Sequence, residues 1–304
     1  MEDKWSWRWI GVTAVAPVSW GATYWVTREF LPADSPLWGA ALRALPAGIL
    51  LLAFARRRPI GSAWWRAAVL GALNFGGFFV LVYVAAQLLP TSLAASIMAL
   101  APVALAGLGW MLLGARPTGA ALTGAALGII GVVLVVGLAT TVVDPRGVAV
   151  SLTALAMSSL GAVLTTRWRE DAPIMASTAW QLTMGGLMLL AAAVVVEGAP
   201  PPMTAPSLLA FSFVAVVATA VAFLCWFAGL RRLAPATVGT VGLLNPVTGI
   251  ALGTLVAGET LTALQLAGAA LVLVGIAVGR RESRPRPRPA LLRRADARPD
   301  CVTR

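Results

Sequence analysis

The chain of 304 residues is 59% hydrophobic and only 12% charged, which excludes an ordinary soluble globular domain. Its net charge of +11 invites a nucleic-acid reading, but the basic residues gather at alternate ends of apolar segments and in the C-terminal tail, so the basicity marks topology. With no histidine at all, His-dependent metal sites and Ser-His arrangements are excluded too.

Apolar runs of about 20 residues, the length that crosses a bilayer, follow one another along the chain. They cover 9–27, 37–55, 65–87, 91–115, 118–139, 148–166, 174–196, 206–230, 236–258 and 262–279. None alternates with the period of two that a strand needs, and only helices or closed barrels satisfy backbone polar groups in lipid. The expected fold class is therefore an all-α polytopic membrane protein with ten transmembrane helices. Ala14-Val15-Ala16 has the small-x-small form of a signal cleavage site, but few apolar residues precede it and Pro17 follows directly, so the first run is expected to be a retained span.

In chain order, Trp5, Trp7 and Trp9 have the placement of interfacial aromatics. Trp20 and Tyr24, four residues apart, share one helical face. They are candidates to line a cavity, where an aromatic face stacks on an organic substrate or receives a cation. Arg43 is the one ionisable residue well inside a run; its side chain either reaches the nearer interface or faces the cavity and attracts a carboxylate. Asn74 and Asn245 are amides in apolar runs and need either an interhelical partner or substrate. Pro102 and Pro246 each remove a backbone donor and are expected to interrupt their helices. Trp180, Gln181 and Trp226 complete the candidate substrate-binding set, and Glu259, at a run's end, is either a helix-end polar residue or part of a gate. Cys225 and Cys301 fall on opposite sides of the apolar barrier and form no disulfide framework. The tail, rich in Pro and Arg, is expected to be disordered; it holds the C-terminus in the cytoplasm by charge and offers contact to anionic lipid headgroups.

The chain repeats itself. APVALAGLGWMLLGARPT from Ala101 aligns with NPVTGIALGTLVAGETLT from Asn245 at an offset of 144, and TGAALTGAALGIIG from Thr118 aligns with TALQLAGAALVLVG from Thr262 at the same offset. RALPAGILLLA from Arg43 matches QLTMGGLMLLA from Gln181 at an offset of 138, and the turns at Pro90 and Pro235 match at 145. A duplicated unit with five spans must re-enter from the opposite side, which makes an inverted repeat. The expected organisation is a cytoplasmic N-terminus over 1–8, a first five-helix repeat over 9–139, an outer linker over 140–147, a second repeat over 148–279 and the tail over 280–304. With both termini cytoplasmic, 20 of the 23 basic residues lie inside, Arg28 and Arg146 lie outside, and Arg43 lies within a span. That arrangement places the chain in the cell (plasma or inner) membrane.

On these residues the chain resembles the EamA-type exporters of the drug/metabolite transporter superfamily. PVSWGATYWV in the first run, the Arg43 segment, the Pro90 and Pro235 turns and NPVTGIALGTLVAGETLTALQLAGAALVLVG carry the likeness, which covers about 9–279. GARPT departs from it, since the family usually has an acid after that glycine, as GETLT does. The resemblance implies efflux of small metabolites, amino acids or related compounds, by alternating access through a cavity between the repeats. An integral-membrane enzyme or a membrane scaffold is the alternative. The residues speak against an enzyme: no run carries two carboxylates at helical spacing, and no cysteine cluster is present. The sole lysine, Lys4, precedes any phosphate-binding loop, so ATP-driven pumping by this chain is not expected. No cofactor and no metal are expected, and the partners are a small-molecule metabolite and the bilayer. Gly124 and Gly128, like Gly249 and Gly253, have the small-xxx-small spacing that serves close packing within a monomer; a homodimer contact through the fifth or tenth run is the alternative.

Overall fold

The computed structural model describes residues 2–137, 143–168, 172–233 and 235–279; the tail, Cys301 and the outer linker's first residues lie outside this set. Among the described residues there is no strand. The helices are α1 (Glu2–Phe30), α2 (Pro36–Ala55), α3 (Ala63–Gly71), a π segment (Ala72–Gly77), α4 (Phe78–Leu88), α5 (Thr91–Met98), α6 (Ala101–Leu113), α7 (Gly119–Gly137) and α8 (Pro145–Arg167). They continue with α9 (Ile174–Val196), α10 (Ala205–Ser212), a second π segment (Phe213–Val221), α11 (Ala222–Arg232), α12 (Pro235–Gly242), α13 (Leu244–Leu255) and α14 (Ala263–Gly279). Among the described residues, seven helical stretches are long and apolar enough to cross a membrane, and Thr240–Leu255 and Ala263–Gly279 are shorter apolar helices. The molecule is an all-α multi-pass membrane protein.

Proline and backbone chemistry explain where helices break. Pro102 and Pro246 have no backbone N–H to donate to the carbonyl four residues back, and their rings crowd that carbonyl. Accordingly the chain leaves the helix between α5 and α6, with Pro102 in the first turn of α6, and again at Leu243 before α13, which holds Pro246. The π segments interrupt the stretches Ala63–Leu88 and Ala205–Arg232, and neither segment contains a proline; in the second, Thr219 Oγ1 donates to the carbonyl of Val214, five residues back, at 2.7 Å.

Where helices touch most closely, small residues make it possible. A Cβ on Gly124 would collide with the carbonyl of Gly275, and one on Gly131 with that of Gly268, so α7 and α14 pack antiparallel, backbone on backbone. The same holds between α2 and α9, where Gly48 sits against Thr183 and Gly186 against Leu45. In lipid, where apolar helices gain nothing from leaving a solvent as oily as themselves, this close contact is the main source of association. Buried alanines fill the remaining α2–α9 interface, with Ala40, Ala44, Ala47, Ala179 and Leu182 in one cluster with Phe75 and Phe79.

The two ends of the bundle differ. One end carries Asp34, Glu197 and Glu259, and is tied by Arg28 donating to the Leu89 carbonyl at 2.5 Å and Tyr83 donating to the Pro32 carbonyl at 2.7 Å. The other carries Arg56, Arg57, Arg58, Arg66 and Arg167 with the tryptophan pair Trp65 and Trp168, whose ring centroids lie 5.0 Å apart. There Arg232 stands over the Trp9 ring at 5.0 Å.

Candidate functional site

Arg43, in the second turn of α2, projects toward the second π segment. Its Nε donates to Thr219 Oγ1 at 3.1 Å, and its guanidinium carbon lies 4.0 Å over the Phe79 ring. The π segment makes the first contact available: its wider turn aims Thr219 inward, and the Thr219 hydroxyl hands its own proton to Val214 and accepts from Arg43. Tyr24 of α1, 5% exposed, belongs to the apolar cluster that holds Val82, Ala86 and Leu93.

From Phe79 an aromatic wall runs across the bundle. Phe79 meets Phe75 at 5.6 Å, Phe75 meets Phe223 at 5.7 Å, Phe223 meets Trp20 at 5.5 Å and Trp20 meets Trp226 at 5.4 Å. The rings are tilted or edge-on, the arrangement that aligns positive ring edges with negative faces. Trp20, Phe223 and Trp226 are only partly buried, so the wall is not sealed. Beside Arg43 is a narrow recess lined by Thr27, Gly39, Phe79, Val82 and Tyr83, with about 10 Å³ of free space, roughly one water molecule.

The first π segment carries the second polar pairing. Asn74 Nδ2 donates to Gln181 Oε1 at 2.8 Å and to Thr165 Oγ1 at 3.3 Å, while Gln181 Nε2 donates to Ser177 Oγ at 3.0 Å. Asn74 thus satisfies the Gln181 side-chain oxygen between helices, while the Gln181 amide nitrogen turns back to its own helix. Asn245 differs: among the described residues its side-chain amide has no hydrogen-bond partner, and its carbonyl lies under Gly21 of α1.

Of the residues singled out in the sequence, Trp20, Arg43 and Trp226 adjoin the aromatic wall, and Tyr24 packs in a neighbouring apolar cluster. Trp180 does not; it is buried against Ala63, Ala67 and Ala176 near the basic end, and its indole donates to the Arg57 carbonyl at 2.7 Å. Glu259 accepts from the backbone amides of Thr91 at 2.5 Å and Ser92 at 3.0 Å, capping the start of α5. Gly258, at φ 68°, makes the turn that returns Glu259 to the bundle. Glu197, not singled out beforehand, does the same for α2 by accepting from Leu37 at 2.7 Å and Trp38 at 2.9 Å. Its signal was a lone acid directly after an apolar run and next to Gly198, the setting of Glu259 beside Gly258. Thr219, also missed, lies 145 residues after Asn74, the offset that relates Pro90 to Pro235.

Residues 7–137 and 145–279 both match the EamA-like transporter family. PecM of Dickeya dadantii is 36% identical over 266 residues, 86% of this chain and 89% of PecM. The chain belongs to the EamA-like transporter family. It is accordingly a membrane transporter and not an enzyme. Among further relatives, YedA of Escherichia coli, called an uncharacterized inner membrane transporter, is 26% identical and covers 82% of each chain. A Salmonella typhimurium protein named a probable amino-acid metabolite efflux pump is 27% identical over 85% of this chain and 90% of its own. One crystal structure at 22% identity superposes with a TM-score of 0.60 over 95% of this chain and 98% of its own, a likeness in fold.

Proposed function

We propose that this EamA transporter exports small organic metabolites, amino acids or related compounds, as a secondary transporter. It crosses the membrane ten times in two inverted five-helix repeats and alternates access to a central cavity bounded by Arg43 and the aromatic wall. The observation that carries this reading is reciprocity of contact. Arg43 pairs with Thr219; Gln181, which stands 138 residues after Arg43, pairs with Asn74, which stands 145 before Thr219. Gly124 touches Gly275 and Gly131 touches Gly268, and both exchange under the offset of 144. Gly48 on Thr183 and Leu45 on Gly186 exchange under the offset of 138. Contacts in which i meets j′ and j meets i′ are what a two-fold axis produces. Because α7 and α14 run antiparallel, such an axis lies across the helices, in the membrane plane, as inverted repeats require.

The helix interruptions before Pro102 and Pro246, 144 residues apart, support a pathway near the repeat interface. The basic end of the bundle supports placing both termini in the cytoplasm, and the name of the Salmonella relative supports outward movement of amino-acid metabolites. Proteoliposomes carrying the purified chain, loaded with a mixture of amino acids and organic acids, should lose at least one component faster than empty-protein controls without ATP. Retention of every component under all imposed pH gradients would overturn the proposal.

A further inference from the structure

We infer that Glu259 is a latch present at one end of the molecule only, which biases the transporter toward the state closed at the acidic end and open at the basic end. The inference deepens the export reading and rests on its alternating access. In an inverted repeat, exchanging the halves turns one end state into the other, so identical latches would leave the two states equally stable. Here the latches are not identical.

The turns that would carry them are alike. Gly114 ends α6 at φ 68°, and Gly258, 144 residues later, follows α13 at φ 68°. After the first, the Ala115 amide donates to the Gly109 carbonyl at 3.3 Å; after the second, the Glu259 amide donates to the Gly253 carbonyl at 2.8 Å, in the same register. Only the side chain differs. Glu259 reaches the first amides of α5, Thr91 and Ser92, and ties the end of α13 to them by charge-assisted bonds. Ala115 has no side-chain acceptor, and Arg116 beside it carries the wrong sign for the N-terminus of α12, the counterpart of α5.

Burial follows the latch. At the acidic end α5 and α13 are in contact: residues 91–97 are all buried, and a Cβ on Gly249 would collide with Ala95 and one on Gly253 with the Glu259 carboxylate. At the basic end the matching positions are apart. A Cβ on Gly109, in the place of Gly253, would meet nothing within 4 Å, and Leu105, in the place of Gly249, is 39% exposed. On α12, Thr237 and Thr240 hold the places of Ser92 and Ala95 at the offset of 145; the first is half-buried and the second exposed. Because the α7–α14 and α2–α9 contacts remain reciprocal, the asymmetry belongs to the helices next to the latch.

The test uses the full chain in lipid nanodiscs, with Cys225 and Cys301 replaced by serine and one probe cysteine placed at Ser92 or at its counterpart Thr237. Alkylation by N-ethylmaleimide, which needs water at the thiol, is followed by mass spectrometry and should be faster at Thr237→Cys than at Ser92→Cys. Glu259→Gln should speed alkylation of Ser92→Cys about 3-fold, the change expected from removing a charge at a helix N-terminus. Ala115→Glu supplies the missing carboxylate. It should slow Thr237→Cys about 3-fold and speed Ser92→Cys at the far end, a transmitted effect that a merely local cap does not give. Should Glu259→Gln fail to fold, Ala115→Glu still decides. Faster alkylation of Ser92→Cys than of Thr237→Cys without either change, no response of Ser92→Cys to Glu259→Gln, or an Ala115→Glu effect confined to Thr237→Cys would overturn the inference. The two readings fail separately. Reciprocal alkylation with no efflux from proteoliposomes sinks export and leaves the latch, whereas efflux with Ser92→Cys indifferent to Glu259→Gln sinks the latch and leaves export.

Discussion

Asn74 and Asn245 are both amides in apolar surroundings, yet their bonding sets different expectations. Asn74→Ala removes the donor to Gln181, which is 4% exposed. Leaving that acceptor bare costs about 1–3 kcal/mol, so the variant should melt several degrees lower in detergent. Asn245→Ala breaks no described hydrogen bond and should hold stability to within about 0.5 kcal/mol; under the export reading it should nonetheless reduce transport more than Glu259→Gln does at equal membrane abundance. The reverse order of transport loss would remove Asn245 from the substrate path. At Glu259 the expected loss is one of stability: Glu259→Gln gives up charge on two amides at a helix N-terminus, about 0.3–1 kcal/mol. Gly253→Ala should mimic it, because a Cβ there would run into the Glu259 carboxylate. Having the same cause, the two changes combined should cost less than their sum in a double-mutant cycle.

Close helix packing makes the element scale testable through glycine alone. Gly124→Val or Gly268→Val would drive a branched side chain into the backbone of the facing helix, and overpacking of this kind costs about 1–3 kcal/mol. Thermal unfolding followed by size-exclusion should show a clear fall in Tm for either, whereas Gly107→Ala, where a Cβ meets nothing within 4 Å, should be silent. These glycine pairings were partly legible beforehand, because spacing along one helix exposes a small-residue stripe. Most of each apolar run is helix over its described residues, with breaks inside two of them at 99–100 and 243, since length and hydropathy favour helix for a segment in lipid. What the sequence did not disclose was the rotational setting of one helix against another. Asn74 and Arg43 were visible as polar residues, but whether each meets a side chain of another helix or the cavity depends on angles that no run of letters fixes. The π segments were hidden for a related reason: Ala72–Gly77 and Phe213–Val221 contain no proline, and an added residue per turn leaves no mark in composition.

Among the described residues, the two ends of the bundle are tied by different groups. At the acidic end Glu197 and Glu259 hold α2 and α5, Trp38 Nε1 donates to the Gly198 carbonyl at 3.2 Å, and Gln87 donates to the Thr27 carbonyl at 2.9 Å. The basic end has the Trp180 bond to Arg57 and the stacking of Arg232 on Trp9. Carboxylates on helix N-termini suit a face that carries few basic residues, and arginines beside tryptophans suit the headgroups of an anionic inner leaflet. The charge difference therefore predicts which end meets the cytoplasm. With Cys225 and Cys301 replaced by serine, Asp34→Cys at the acidic end should react with a membrane-impermeant maleimide in intact cells. Arg58→Cys, at the basic end, should react only after permeabilisation. Both positions are exposed in the fold, so the contrast reports the bilayer and not burial. Labelling of Arg58→Cys but not Asp34→Cys in intact cells would turn the molecule over and place the carboxylate-capped end in the cytoplasm.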